Sequence, residues 1–243
     1  MTAFQTEPRQ KSAIVIGATG LVGGLLVEKL VASRHYRTVY QIVRQAPDTI
    51  KGANRDQSLE TIVIADFERL EKMLTRLDLH DADAFSTLGT TLKQAGSKQQ
   101  FRQVDFTYNL QFAQIVKELG AQHFLLLSAT GAHADSAVFY NRIKGELERA
   151  IEQLCFDRLS IFQPSLLLGQ HRDQRFMENM AQKVFSLSER LLPADWRYRP
   201  IEAERVAQAM YRVATSLIPD SVNQAKVIYS NTDLLNLTLE IPA

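Results

Sequence analysis

Residues 13 to 32 constrain this chain more than any other stretch. Ala13-Ile14-Val15-Ile16 is a short, wholly apolar run, the pattern of a strand buried on both faces of a parallel sheet. Gly17-Ala18-Thr19-Gly20-Leu21-Val22-Gly23 follows at once, and from Leu21 to Ala32 apolar residues recur at helical spacing, with Glu28 and Lys29 between them. Gly17 is expected to allow the tight turn after the strand, Gly20 to let backbone N–H groups approach a pyrophosphate, and Gly23 to permit close packing of helix on strand. The spacing is G-x-x-G-x-x-G rather than G-x-G-x-x-G, so its weight comes from lying between a strand and a helix. On this reading Gly17, Thr19, Gly20, Leu21, Val22 and Gly23 hold the phosphates; the other reading is a glycine-rich turn with no ligand.

The same alternation continues down the chain. Thr38 to Val43, Thr61 to Ile64, Ala84 to Thr87, His123 to Leu127 and Leu159 to Phe162 read as strands. Phe67 to Leu77, Gln99 to Leu119 and Tyr140 to Leu154 read as helices, with Gly120 as a C-cap and Gln45 to Ser58 as an exposed connection. A β-α-β-α order predicts an α/β, Rossmann-type doubly wound parallel sheet with helices on both faces. After Gln163-Pro164 come helical stretches at about 175–191 and 203–216 and a strand at Lys226 to Tyr229. The expectation is a single domain over residues 1–243, with a small lid or substrate-side region at about 165–222.

Composition excludes more than it assigns. With 28 basic and 27 acidic residues and a net charge of +1, no global field draws the chain to nucleic acid or an anionic membrane, and neither is expected as a partner. No stretch approaches the roughly 18 apolar residues of a membrane span. The single cysteine, Cys155, cannot form an internal disulfide; it reads as a buried small hydrophobe, and a cytoplasmic setting is expected. The five histidines form no close-spaced ligand pair, so no metal is predicted. Ser128 and Ser165 lack the G-x-S-x-G elbow of a hydrolase. A monomer and a homodimer are both compatible with the pattern.

The second strand ends in Val43-Arg44, with no carboxylate adjoining it in sequence. An arginine there suits a ribose 2′-phosphate, so NADP(H) is expected over NAD(H), although a solvated strand-end arginine also fits. Asp66 ends the third strand, where it would either contact the adenine or cap the helix that follows. Tyr140 and Lys144 stand four apart and would share a helix face, and a neighbouring ammonium favours the phenolate that proton transfer needs. Ser128, at the end of a buried strand, is placed to hydrogen-bond a reacting oxygen. The plain alternative is an exposed helical pair and a turn serine.

The Gly17 to Gly23 turn, Ser128 and Tyr140-Asn141-Arg142-Ile143-Lys144 resemble an atypical or extended short-chain dehydrogenase/reductase. Ser86-Thr87-Leu88-Gly89-Thr90-Thr91, Phe124 to Ser128, Lys144-Gly145-Glu146 and Phe156-Asp157-Arg158 resemble, within it, the Tat-interacting-protein oxidoreductase group and its bacterial relatives. Over residues 12 to 170 the resemblance implies an NADP(H)-binding core, with Tyr140 as acid/base, Lys144 as its electrostatic partner and ribose ligand, and Ser128 as donor to the substrate oxygen. It also implies that the Leu88, Gly89 and Thr90 backbone lies near the cofactor and that the loop after Pro164 approaches the nicotinamide. One departure stands out: Val104-Asp105-Phe106 replaces the Val-Asn-Val common in extended members, so Asp105 is expected to hold a water or a main-chain amide. Two functions follow. One is hydride transfer to or from a small carbonyl or alcohol metabolite; the other is an NADPH-binding regulatory or sensor protein that binds a protein partner with little or no catalysis. An intact Ser128, Tyr140 and Lys144 set favours the first, and Asp105 favours the second.

Overall fold

The computed structural model describes residues 11–33, 35–45, 58–169, 197–216 and 225–239. Seven strands form one sheet: β1 (Lys11–Ile16), β2 (Tyr36–Val43), β3 (Ser58–Val63), β4 (Asp83–Ser86), β5 (His123–Leu127), β6 (Arg158–Gln163) and, after a short β7–β8 pair (Leu167–Leu168 with Ile201–Glu202), β9 (Lys226–Ser230). The order is β3-β2-β1-β4-β5-β6-β9, with every pairing parallel. The chain runs outward from β1 to β3 and then crosses back to β4 on the other side of β1. The loops after β1 and β4 therefore diverge at a switch point, leaving a crevice outside the carboxyl ends of the strands.

The helices divide between the two faces. On one side α1 (Leu21–Ala32) packs Val22, Leu26 and Leu30 against Val15, Val39 and Phe85 of the sheet. On the other, α2 (Leu70–Leu74), α5 (Asn109–Glu118) and α6 (Phe139–Glu152) bury Leu70, Phe112, Val116, Leu147 and Ile151 against Ile14, Phe124 and Ile161. The short α3 (Leu92–Ala95) and α4 (Lys98–Arg102) lead into a π-type stretch, Gln103–Tyr108, before α5. The helix expected from Gln99 to Leu119 is thus present but locally widened. The Asn109 side chain donates to the Val104 carbonyl (2.9 Å) inside that widened stretch.

Of the region expected as a lid, residues 165–169 and 197–216 are among those described. Helix α7 (Ala203–Thr215) joins the core, burying Val206, Ala207, Met210 and Val213 in the same cluster as α1, and Lys29 of α1 pairs with its Glu204. Helical periodicity marked its apolar face without saying what covers it. The strand expected at Lys226 to Tyr229 completes the main sheet, followed by α8 (Asn231–Leu239). The helix expected at 175–191 and most of the Gln45 to Ser58 connection lie outside the described residues. Cys155 is exposed, not buried: it occupies the turn after α6 with φ +52°.

At the amino-terminal edge of the sheet, Tyr36 donates to Asp83 (2.7 Å), and His123 bonds Ser160 through Nε2 (2.9 Å) while its Nδ1 faces Asp83 Oδ1 at 3.8 Å. Burial, with Arg158 and Lys11 nearby, holds the His123 imidazole well below its ordinary range, so it folds neutral. The unfolded chain therefore takes up a proton below about pH 6.5 that the folded chain refuses, and stability falls with pH by up to about 1.4 kcal/mol per unit from this group. Urea unfolding at pH 7 and pH 5 should show a smaller acid-induced loss in His123→Asn than in the wild type; equal losses would assign the acid sensitivity to other groups.

Candidate functional site

The glycine turn is built around contacts that no side chain would tolerate. Gly17 has φ +77°, and a Cβ there would lie 2.6 Å from the Leu88 nitrogen. Gly20 caps α1 without a side chain and donates to the Gly17 carbonyl (2.9 Å). A Cβ on Gly23 would lie 2.2 Å from that carbonyl and 2.6 Å from Thr87 Oγ1, so Gly23 brings the helix against the turn and the end of β4 rather than against β1 alone. The first turn of α1 holds no acidic side chain, and helix geometry leaves the Leu21, Val22 and Gly23 N–H groups without intrahelical acceptors. These residues fit a pyrophosphate; Thr19 is exposed beside them.

Across the switch point the loop after β4 is fixed from both sides. Thr87 donates through its backbone N–H (3.0 Å) and its hydroxyl (2.8 Å) to the Ile16 carbonyl. Ser86 donates to Asn109 Oδ1, and Asn109 Nδ2 donates to the Leu88 carbonyl (3.2 Å). The Thr90 N–H donates to Asp105 Oδ2 (2.9 Å), the main-chain role expected for that aspartate. Asn109 was not singled out from the sequence. Its signal was there: Asp105 and Asn109 stand four apart within a helix that buries Phe101 and Phe112.

Lys144 is buried on α6 with Nζ 2.8 Å from Asp105 Oδ1. Burial works to lower the ammonium's affinity for its proton, but attraction to Asp105 and Tyr140 outweighs it, and the net direction is upward. Burial pushes the Asp105 carboxyl up, opposed by Lys144 and the Thr90 amide. Gly89 lies against this pair, since a Cβ there would come within 3.2 Å of Asp105 Oδ1 and 3.5 Å of Lys144 Nζ. Tyr140, one turn before Lys144, is half-buried with its ring tilted on Phe101 at 5.6 Å. Ser128 is also buried, but its hydroxyl donates to the Glu148 carboxylate, one turn beyond Lys144.

Arg44 is exposed at the end of β2. Asp66 accepts from the Glu68 N–H (3.0 Å), the helix-capping one of its two expected uses. Pro164 is buried, and its carbonyl accepts from the Thr130 N–H (2.8 Å). The next residue, Ser165, donates its N–H to Asn231 Oδ1 (3.0 Å), while Asn231 Nδ2 donates to the Arg199 carbonyl (2.8 Å). This buried asparagine therefore fixes the loop after Pro164, and it too went unnoticed in the sequence.

Strand order, glycine cradle and crevice together define a dinucleotide-binding Rossmann fold. Residues 17–153 match the NAD(P)H-binding family, and the chain belongs to it. Protein HTATIP2 of Rattus norvegicus is 35% identical over 188 residues, covering 77% of this chain and 74% of that protein. The mitochondrial protein FMP52 of Meyerozyma guilliermondii is 33% identical over 236 residues, covering 95% and 97%. The FMP52 protein of Lodderomyces elongisporus is 34% identical, covering 69% and 71%. Among solved structures, a short-chain dehydrogenase/reductase family oxidoreductase from Burkholderia thailandensis shares the fold, with TM-score 0.66, 18% identity and coverage of 96% and 99%.

These relatives overturn the cytoplasmic expectation, since several are named as mitochondrial proteins. A lone thiol excludes an internal disulfide and does not choose among reducing compartments. Among the described residues no helix is long and apolar enough to cross a membrane.

Proposed function

We propose that this chain is an NADP(H)-dependent oxidoreductase acting on a small carbonyl or alcohol, with Tyr140 as acid/base. The observation that carries this reading is Tyr140 one helical turn from the buried Lys144, whose partner Asp105 also holds the Leu88–Thr90 loop at the switch point. The cradle from Gly17 to Gly23 would hold the pyrophosphate, and Leu88, Gly89, Thr90 and Pro164 would border the nicotinamide half. The bound cofactor would supply or accept the hydride. Tyr140 then gives its phenolic proton to a carbonyl oxygen, or takes one from an alcohol, with the Lys144 ammonium one helical turn away. Ser128 orients the reacting oxygen.

Arg44, with Val43 and Gln45 as neighbours, supports a 2′-phosphate site. Calorimetric titration should show NADPH binding at least about tenfold tighter than NADH, with Arg44→Ala erasing most of that difference and leaving NADH unchanged. Tyr140→Phe should keep NADPH affinity and lose about 100-fold or more of turnover in a carbonyl screen. Unchanged turnover in Tyr140→Phe would remove the acid/base assignment.

A second reading, a nucleotide-binding regulator of a protein partner, has its own support in the Lys144–Asp105 pair, which satisfies the lysine's charge internally. NADPH binding without turnover of any carbonyl by the wild type would favour it.

A further inference from the structure

Glu148 is a carboxylate in contact with Ser128 that has no role assigned in the proposed chemistry. It stands one turn after Lys144 and two after Tyr140 on α6, and it gathers three elements. Ser128, just after β5, donates its hydroxyl to Glu148 Oε1, and Gln163, the last residue of β6, donates through Nε2 to both carboxylate oxygens (3.0 and 3.1 Å). A serine hydroxyl has one proton and two lone pairs. With that proton held by a carboxylate, Ser128 has only acceptor capacity left, so it can receive a hydrogen bond from an alcohol but cannot donate one to a carbonyl.

Resting on the oxidoreductase reading above, we propose that Glu148 is a positioning residue that sets the hydrogen-bond polarity of Ser128. As a carboxylate it accepts the Ser128 hydroxyl's hydrogen bond and leaves the serine an acceptor suited to an alcohol. As the neutral acid it donates to Ser128 Oγ, which frees the serine's own proton for a carbonyl oxygen. Gln163 serves both states, because its amide spans the two oxygens and can donate to whichever carries no proton. No bond to carbon changes in this step; only the hydrogen-bond donor and acceptor exchange roles.

Opposing influences from the surroundings act on the Glu148 carboxyl. Burial pushes its carboxyl above the ordinary range, opposed by the Ser128 and Gln163 hydrogen bonds and by the charges of Lys226 on β9 and Lys144 on its own helix. Lys226 is also paired with Glu152 at 2.6 Å.

The first test needs no turnover. In cofactor-free protein carrying carboxyl-labelled glutamate, the Glu148 carbon signal, assigned by its loss in Glu148→Gln, is followed against pH by NMR. Removing the serine's hydrogen bond destabilises the carboxylate, so Ser128→Ala should move the midpoint upward by about one pH unit, about tenfold in proton affinity. An unchanged midpoint overturns the proposal. The second test follows a panel of aromatic and aliphatic aldehydes and ketones with NADPH, and the matching alcohols with NADP. Glu148→Gln can donate to Ser128 as the neutral acid does, so it should keep carbonyl reduction while erasing the pH limb that the wild type shows. Alcohol oxidation by the same variant should fall about tenfold. Glu148→Ala leaves the Ser128 proton free, so it should also erase the pH limb while carbonyl reduction persists at a lower rate, the hydroxyl no longer being oriented. A Glu148→Gln profile of wild-type shape at uniformly lower rate would make the residue structural and overturn the proposal. A wild type that turns over nothing, with the Ser128→Ala shift present, retires the oxidoreductase reading while upholding the Ser128–Glu148 coupling.

Discussion

Gly23→Ala is expected to weaken NADPH binding by about a hundredfold or more and to cost about 1–3 kcal/mol of stability. The added methyl would sit 2.2 Å from the Gly17 carbonyl oxygen and 2.6 Å from Thr87 Oγ1. The first of these is backbone, so relief requires α1 to move away from the turn. That movement withdraws the first-turn N–H groups from the position a pyrophosphate would take, and it strains the Gly20 to Gly17 hydrogen bond that closes the turn. Gly24 provides the control in the same helix: a Cβ there would meet only the Ala18 carbonyl, at an ordinary 3.6 Å. Gly24→Ala should therefore leave NADPH affinity unchanged and gain up to about 1 kcal/mol from helix propensity. Urea unfolding and calorimetric titration of the two variants separate the effects. Wild-type affinity in Gly23→Ala would sink the cradle assignment, and a loss in both variants would trace it to general disturbance of α1.

The contrast between these two glycines shows what the sequence makes legible. Ala13 to Ile16, Leu21 to Ala32 and His123 to Leu127 could be placed because burial on both faces of a parallel sheet, or on one stripe of a helix, leaves a pattern in apolar residues alone. The strand–turn–helix order then gave the cradle and the family. Polar residues in helices left at most a weaker mark, such as the four-residue spacing of Asp105 and Asn109. Asn109, Glu148 and Asn231 look like solvated positions until the chain is folded around them, and each proves to hold a loop or a hydroxyl at the crevice. Glu148 came closest to being visible, four residues beyond Lys144 on the face already chosen for catalysis. The period of helix α7 was legible but its packing beside α1 was not, because period reports an apolar face and not its partner. Cys155 failed for a related reason: its apolar neighbours Leu154 and Phe156 pack inward while the positive-φ turn leaves the thiol outside.

Lys144→Met should be the most destabilising of the site substitutions, at about 3–5 kcal/mol near neutral pH. Lys144 and Asp105 are both buried, with side chains 6% and 0% exposed, and they neutralise each other across 2.8 Å. Methionine replaces the volume but leaves the Asp105 carboxylate with the Thr90 N–H as its remaining partner. The pH dependence follows from the sign of the shift. Without the ammonium, burial holds the Asp105 carboxyl above its ordinary range in the folded chain, while the unfolded chain releases the same proton near pH 4. Between those points the folded state carries a proton that the unfolded state lacks, so the variant loses stability as pH rises and recovers part of it on acidification. Adding Asp105→Asn removes the stranded charge and keeps an acceptor for Thr90. The double variant should regain at least about 1 kcal/mol over Lys144→Met at pH 7 and lose the acid recovery, while carbonyl turnover stays absent because no ammonium faces Tyr140. Stability restored without turnover would separate the part Lys144 plays in closing the fold from the one proposed for it in the chemistry. Losses in the two single variants that simply add in the double would mean that the pair is not coupled, and the site would need to be rebuilt around Tyr140 alone.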